Sequence, residues 1–420
     1  MDYFVEPVRK TPVVNNVDVL VCGGGFAGVA AAVAAARNGA SVMLIERYGF
    51  LGGLATGALV ITTPPLNNGI NREIARRLMD WQSYAPNRAK EDSTETEFID
   101  GSDTLLPYDP ETMKYEFVRM LLEARVEILF HSYIADTLCT DGHIDGVVIE
   151  NKAGRSAVRA KFVIDATGDA DVAAQSGAPV RTVERPITMM FNMADVDSAR
   201  ALEHLGKWTG LKKFMREAIA KGEIDFDLGV DPDFGAPGIF AADLIHKGQL
   251  NIWSGMLYSN QSLDPSQRTR AEIVSRDHAF RMAAFLKKNL PGFENARLEQ
   301  MSTEVGIRAT RNLVGEHTAS KKEVVRGEFP DTVARPYLSK DLAVPYRSLL
   351  PKGIDNLLVA GRCISADDDI MGRLRLIPVC SATGEAAGVA AAMATAQGIS
   401  AQAVDVGQLQ AQLTEQGVEL

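Results

Sequence analysis

The chain has 420 residues, 46% of them hydrophobic, and a formal net charge of -10, enough for two or three domains' worth of core. The acidic balance speaks against a nucleic-acid partner, which would favour a basic face, but not against a small anionic substrate met by a local arginine cluster. Four widely spaced cysteines, none in a CxxC pair, give poor support to a disulfide framework, a zinc site or a dithiol redox motif.

The opening MDYFVEPVRKTPVV has no apolar h-region and does not read as a signal peptide. The alanine-rich runs further on are too short and too weakly apolar for a bilayer span, so the expectation is a cytoplasmic protein with no membrane partner. VDVLVC, 17–22, is a valine-rich apolar run of the kind that forms a buried parallel strand. FAGVAAAVAAARNG follows as a helix with its stop at Asn38-Gly39, and SVMLIER, 41–47, reads as a second strand. Together they make one βαβ unit.

Residues 48–70 are rich in Gly, Thr and Pro and read as mostly loop, NREIARRLMDWQ as helix, and 83–110 as polar and irregular. PETMKYEFVRMLLEAR is a predicted helix, the stretch from Val126 to Asn151 predicted strands with a turn at Asp141-Gly142, and SAVRAKFVIDATG a hairpin end plus strand. The texture changes over 186–340, with fewer short β runs, the helical pattern EIVSRDHAFRMAAFLKKNL and the loop VDPDFGAPG. From 341 the α/β texture returns, with a strand and turn at NLLVAGRCIS and a helix at SATGEAAGVAAAMATAQG.

Gly23, Gly25 and Gly28 stand as G-x-G-x-x-G between the first strand and the first helix, the context that gives this short motif its meaning. Gly23 permits the turn, Gly25 lets the backbone approach a pyrophosphate, and Gly28 lets helix and strand pack closely. The free N–H groups of the helix start, around Phe26 and Ala27, then face phosphate oxygens. Glu46 closes the second strand eighteen residues after Gly28, where an acid accepts hydrogen bonds from an adenosine ribose. These residues predict a dinucleotide and leave NAD and FAD open.

Four further segments decide between them. ERYGFLGGLAT, DATGDADVAAQSGAP, PYRSLLPKGIDNLLVAGRCIS and RLRLIPVCSATGEAAGVAAA together resemble the FAD-dependent oxidoreductase family related to the succinate dehydrogenase and fumarate reductase flavoproteins, the second subgroup of the glutathione-reductase-like FAD fold. The likeness covers both ends of the chain and is weaker in the middle. It implies that the Gly23–Gly28 loop and Glu46 hold the ADP half of FAD. Arg47, Gly52, Gly53 and Ala55 would then lie along the pyrophosphate and the flavin edge. Thr167, Gly168 and Asp169 would make a strand-end contact, and Gly361 and Arg362 would reach the ribityl chain and the ring. A helix N-terminus after Pro378 would favour the negative charge of a reduced flavin, and the same helix also reads as simple packing. No second G-x-G-x-x-G follows a strand, so a dedicated NAD(P)H domain is not expected. Cys363 stands alone and reads as structural.

The protein must also position a substrate. Arginine suits a carboxylate because its planar fork binds two oxygens. The likeness carries Arg308 and Arg311, in GIRATR, and Arg373, in GRLRLIP, to the neighbourhood of the flavin; Arg375 is a weaker candidate. ADDDI, 366–370, departs from the family pattern and reads as a solvated loop, with hydroxyl or cation binding as the alternative. The six histidines show no ligand spacing, so no metal is implied; His246 is the candidate for proton handling. Tyr346 and Arg347 match the family's PYR and border either the site or a hinge. Trp253 and Tyr258 would line a pocket or fill the core.

The expected fold is α/β, a Rossmann-like FAD-binding domain from 1–185 and 341–420 with an inserted α+β substrate or cap domain at 186–340. The expected reaction is hydride movement between flavin N5 and a small polar metabolite, carboxylated or not, with a separate electron donor or acceptor and the oligomeric state left open. Two alternatives stand beside it: a monooxygenase or oxidase using molecular oxygen, and an FAD-bearing electron-relay subunit of a larger complex.

Overall fold

Alternation along the last residues of the first strand divides the core in two. In β1 (Val13–Cys22), Val19 and Val21 belong to one hydrophobic cluster while Leu20 and Cys22 belong to another, as the period of two requires. The computed structural model describes residues 4, 7–84, 105–230, 237–258, 263–327, 329–336 and 342–420. Most of the expected polar stretch at 83–110 and the middle of VDPDFGAPG lie outside the described residues.

On either side of β1 run parallel partners. β2 (Val42–Ile45) pairs with it and with Glu127–Leu129; β3 (Gly154–Asp165) pairs with it and, at its end, with Leu357–Val359. A meander of Tyr133–Thr140 and His143–Asn151 adds antiparallel strands to the start of β3. Its turn is the expected Asp141-Gly142, both at positive φ, as a two-residue hairpin turn demands. The expected α/β fold with a mostly parallel sheet is therefore present. β1 begins four residues before the predicted strand because Val13, Val14 and Asn16 are exposed and leave no hydrophobic signature.

α1 (Phe26–Arg37) and α4 (Ile377–Gln397) cover one face of this sheet. Their contact is close because it is made of Ala and Gly: a Cβ on Gly384 would stand 2.1 Å from the Ala27 carbonyl oxygen, and one on Gly388 2.3 Å from that of Ala31. α1 ends where expected, with Asn38 as C-cap donating its amide to the Ala34 oxygen at 2.7 Å and Gly39 at positive φ. By length and composition α4 alone among the described helices would span a bilayer, and 83% of its apolar window is buried inside the protein.

The region 186–340, with its stronger helical pattern, also carries a five-stranded antiparallel sheet of Ile187–Ala194, Ile239–Asp243, Leu250–Leu257, Arg297–Met301 and Gly306–Ile307. Ile187–Ala194 is buried at every position, so it lacks the alternation that marks a half-exposed strand. α3 (Pro265–Asn289) packs on this sheet and starts on an Asp264 cap with Pro at the first turn. Sheet and helix together are called the cap below.

The mostly loop stretch 48–70 holds a helical turn at Leu54–Gly57 and a strand at Thr62–Thr63 paired with Leu106–Pro107. One smaller reading is corrected. ADDDI is the start of a helix, Asp368–Leu374, with Asp367 as N-cap and Asp368 and Asp369 in the first turn, where acids meet the positive helix end. Asp368 also pairs with Arg181 at 2.9 Å.

Candidate functional site

One cleft runs between the glycine loop and the cap. Its floor is Gly23, Gly25, Phe26 and Ala27; Glu46, Arg47 and the pair Gly52-Gly53 with Ala55 form one wall. Thr167, Gly168, Gly361 and Arg362 form the opposite wall, and the cap contributes Met190, Trp253, Glu304 and Arg308.

Each glycine of the loop has a distinct reason. Gly23 stands at φ +105, and a Cβ there would lie 2.5 Å from the Ala166 oxygen. Gly28 faces away from the cleft, and its Cβ would lie 1.8 Å from the Gly23 oxygen. A Cβ on Gly25 would meet nothing nearer than the Gly53 Cα at 3.9 Å; it would project into open space above the helix start. Gly25 is the N-cap of α1 and supplies no side-chain cap, so the first amides of the helix point into the cleft. Gly53, at φ +55, faces Gly25 from the other side; a Cβ there would lie 3.2 Å from the Gly25 Cα.

Glu46 is buried and accepts from the Gly24 amide at 2.6 Å and the Tyr48 amide at 2.9 Å. Burial raises its pKa against the lowering by these two amides. Arg362 has its Nη2 on Asp169, 2.7 Å away, and its buried Nε has no hydrogen-bond partner. An uncapped helix start, a bare strip at Gly25, a fixed acid at Glu46 and an orphaned guanidinium N–H fit a dinucleotide carrying a pyrophosphate.

Five sequence candidates lie elsewhere. Gly28 packs helix on strand, as its motif position implied. Asp169 is fully buried behind the wall, accepting from Arg362, from Arg268 at 3.1 Å and from Thr310 at 2.8 Å; it does not line the cleft. Arg311 is tied to the Asp169 carbonyl at 2.9 Å and to the Asp171 carboxylate, which makes it structural rather than substrate-facing. Arg373 sits on the short helix on a side away from the cleft, while Gly372 and Arg375 line it, so the weaker of the two candidates is the better placed. His246 is exposed in the turn between two cap strands and does not line the cleft. Tyr346 is buried with its hydroxyl on the Ala401 oxygen, and Arg347 pairs with Asp331 at 2.9 Å; both fasten the C-terminal segment. Tyr258 is half-exposed, its hydroxyl on the Val230 oxygen.

The motifs missed an acidic bridge across the cleft edge. The Tyr48 hydroxyl donates to Glu304, and Arg47 reaches the same carboxylate at 3.3 Å. Glu304 lies within TEVGIRATR, but nothing in its spacing marks it. Cys380 also lines the cleft, with burial pushing its thiol up to about 12, which keeps it protonated. Cys363 is buried against the Ala360 oxygen. His278 is buried beside Ser254 at 2.9 Å, and burial pushes it down to about 4, so it is a neutral core histidine.

A family model described as FAD dependent oxidoreductase matches residues 18–342 and 336–413. No curated protein matches the chain in sequence. Among solved structures it is similar to a geranylgeranyl bacteriochlorophyll reductase-like protein from Thermoplasma acidophilum, at 18% identity over 96% of this chain and 83% of that one, with a TM-score of 0.51. It is also similar to CabE, an aromatic hydroxylase from angucycline biosynthesis, at 12% identity over 95% and 65% of the two chains, TM-score 0.51. The flavin-dependent monooxygenase PieE, solved with FAD and substrate, shares 14% identity over 92% and 59%, TM-score 0.50. At these identities the likeness is one of fold.

Proposed function

The chain belongs to the FAD-dependent oxidoreductase family, and from that premise we propose that it is a dehydrogenase or reductase acting on a small polar, carboxylated metabolite. FAD is its cofactor and, when bound, supplies two-electron hydride chemistry at the flavin ring. The observation that carries the reading is Arg308. It comes from the cap, is 9% exposed and lines the cleft. Its Nη1 is held by the Thr188 hydroxyl at 2.8 Å and the Pro186 carbonyl at 3.3 Å. A guanidinium at the cleft wall is suited to an anion, and a carboxylate is the anion its planar fork fits best. Arg375, Met190 and Trp253 line the same cleft, and an apolar wall beside an anion would strengthen its pairing with an arginine. The likeness of the cofactor-binding motifs to the succinate dehydrogenase and fumarate reductase flavoproteins supports the same substrate class. A separate electron donor or acceptor completes the cycle.

The test is anaerobic mixing of the holoenzyme with a panel of small mono- and dicarboxylates, read by bleaching of the flavin band, and the reverse with reduced protein. With an active acid in hand, Arg308→Met is expected to raise KM by about tenfold to a hundredfold, with Arg308→Lys between it and wild type. An unchanged KM in Arg308→Met removes the carboxylate assignment. The apolar wall of Val60, Pro64, Leu376 and Ile377 supports a second reading, an oxygen-using monooxygenase or oxidase for a larger ring substrate. Stoichiometric peroxide or a hydroxylated product under air, with no anaerobic turnover of any acid, favours that second reading.

A further inference from the structure

Asp169 joins four segments that are far apart in sequence. It sits in the turn after β3 and is 4% exposed. Its Oδ1 accepts from Arg362 at 2.7 Å and from the Thr310 hydroxyl at 2.8 Å; its Oδ2 accepts from Arg268, on the first turns of α3, at 3.1 Å. Its own carbonyl takes the Arg311 Nε at 2.9 Å. One carboxylate thus fastens the cleft wall to the cap helix and to the strand by which the chain leaves the cap.

The same contact fixes where Arg362 points. Its guanidinium lies against Gly168: a Cβ there would stand 2.8 Å from the Arg362 Cζ, and Gly168 is at φ +80. With Nη2 on Asp169 and Gly168 behind the guanidinium, Arg362 is held in place at the cleft wall, its Nε–H buried and unpartnered. The preceding residue, Gly361, packs on the first turn of α1: a Cβ there would stand 3.0 Å from the Ala27 Cβ. Arg362 therefore stands beside the helix start whose amides face the cleft.

We propose that Asp169 is a positioning residue: it holds Arg362 toward the pyrophosphate of FAD and, through Arg268, makes that hold depend on the seating of the cap helix. The inference rests on the FAD reading. Neither Asp169 nor Arg268 lines the cleft, so a weakened cofactor in their variants reports coupling rather than lost contact.

The experiment measures dissociation constants of FAD and of riboflavin, which lacks the phosphates, by flavin fluorescence with reconstituted full-length protein. Asp169→Asn is expected to weaken FAD by about tenfold or more and riboflavin by much less. Arg268→Met is expected to weaken FAD by about threefold in the same selective way. Equal weakening of both ligands, or wild-type FAD affinity in either variant, overturns the proposal. Should Asp169→Asn fail to fold, Arg362→Met with Arg268→Met carries the test: both must lose FAD selectively. Wild-type protein that binds no FAD sinks the family-level cofactor reading itself, an outcome distinct from all of these.

Discussion

Gly25→Ala is expected to fold and to lose FAD, whereas Gly28→Ala is expected not to fold stably at all. Both changes add one methyl group to the same loop, and the structure separates their effects. At Gly28 the new Cβ would lie 1.8 Å from the Gly23 carbonyl oxygen, a backbone atom that cannot swing aside. Relief requires α1 to move off the sheet, and α1 carries the Ala–Gly contact with α4 and much of the main core. The cost is about 3 kcal/mol or more, a large share of a typical domain's stability. At Gly25 the backbone is at φ -72, open to any residue, and the nearest atom to a new Cβ is 3.9 Å away. The methyl group costs the fold almost nothing but occupies the strip where a pyrophosphate must approach the helix amides. Gly25→Ala should keep the far-ultraviolet spectrum and melting temperature of the wild-type apoprotein, with FAD affinity weakened by about tenfold or more. Gly28→Ala should melt well below it or collect as insoluble protein. A Gly25→Ala variant that purifies yellow at full occupancy would remove the pyrophosphate from this loop.

The sequence reveals the cofactor half of the cleft far better than the substrate half, for a physical reason. A pyrophosphate is bound by backbone, so the requirement falls on glycines at fixed spacing next to a strand, and Gly23, Gly25, Gly52 and Gly361 all line the cleft. Substrate is bound by side chains brought from remote segments, and spacing along the chain says little about which way they point. Arg308 and Arg311 are three residues apart in GIRATR, yet one faces the cleft and the other is consumed by Asp169 and Asp171. They lie on an extended segment, where successive side chains alternate in direction and an offset of three reverses the face. Arg373 and Arg375 divide similarly on a short helix. The cap sheet was obscured because Ile187–Ala194 and Leu250–Leu257 are apolar on both sides; continuous burial erases the alternation that identifies a strand. His246 was drawn in by its residue type, and only the turn geometry places it in solvent.

Glu385→Gln is expected to make the protein more stable in alkaline buffer and to leave it nearly unchanged in acid. Glu385 lies in the middle of α4, 7% exposed, where the helical pattern predicts only packing. Both its oxygens are 3.1 Å from the Ile70 amide, so it caps α2 (Ile70–Asp80) from a distance. Gly69, the N-cap residue of that helix, has no side chain to do so, and a Cβ there would run into the carboxylate at 2.3 Å. Burial pushes the carboxyl up from 4.5 to about 7, against the lowering by the Ile70 amide and Arg37. The sign follows from proton counting. Between these two values the folded protein holds a proton that the unfolded chain has released, so stability falls as pH rises through that window. The stabilisation is fully present below pH 4.5 and lost above about 7, and it amounts to roughly 3 kcal/mol. Glutamine keeps an acceptor for Ile70 and cannot ionise. Its melting temperature should therefore exceed that of wild type at pH 8 and match it near pH 5. Asp165, fully buried and pushed up to about 6 from 3.8, contributes a similar loss at lower pH in both proteins, so the difference between them isolates Glu385. A melting difference of the same size at both pH values would show that the carboxylate is ionised throughout, with the charge of the α2 N-terminus and Arg37 outweighing its burial.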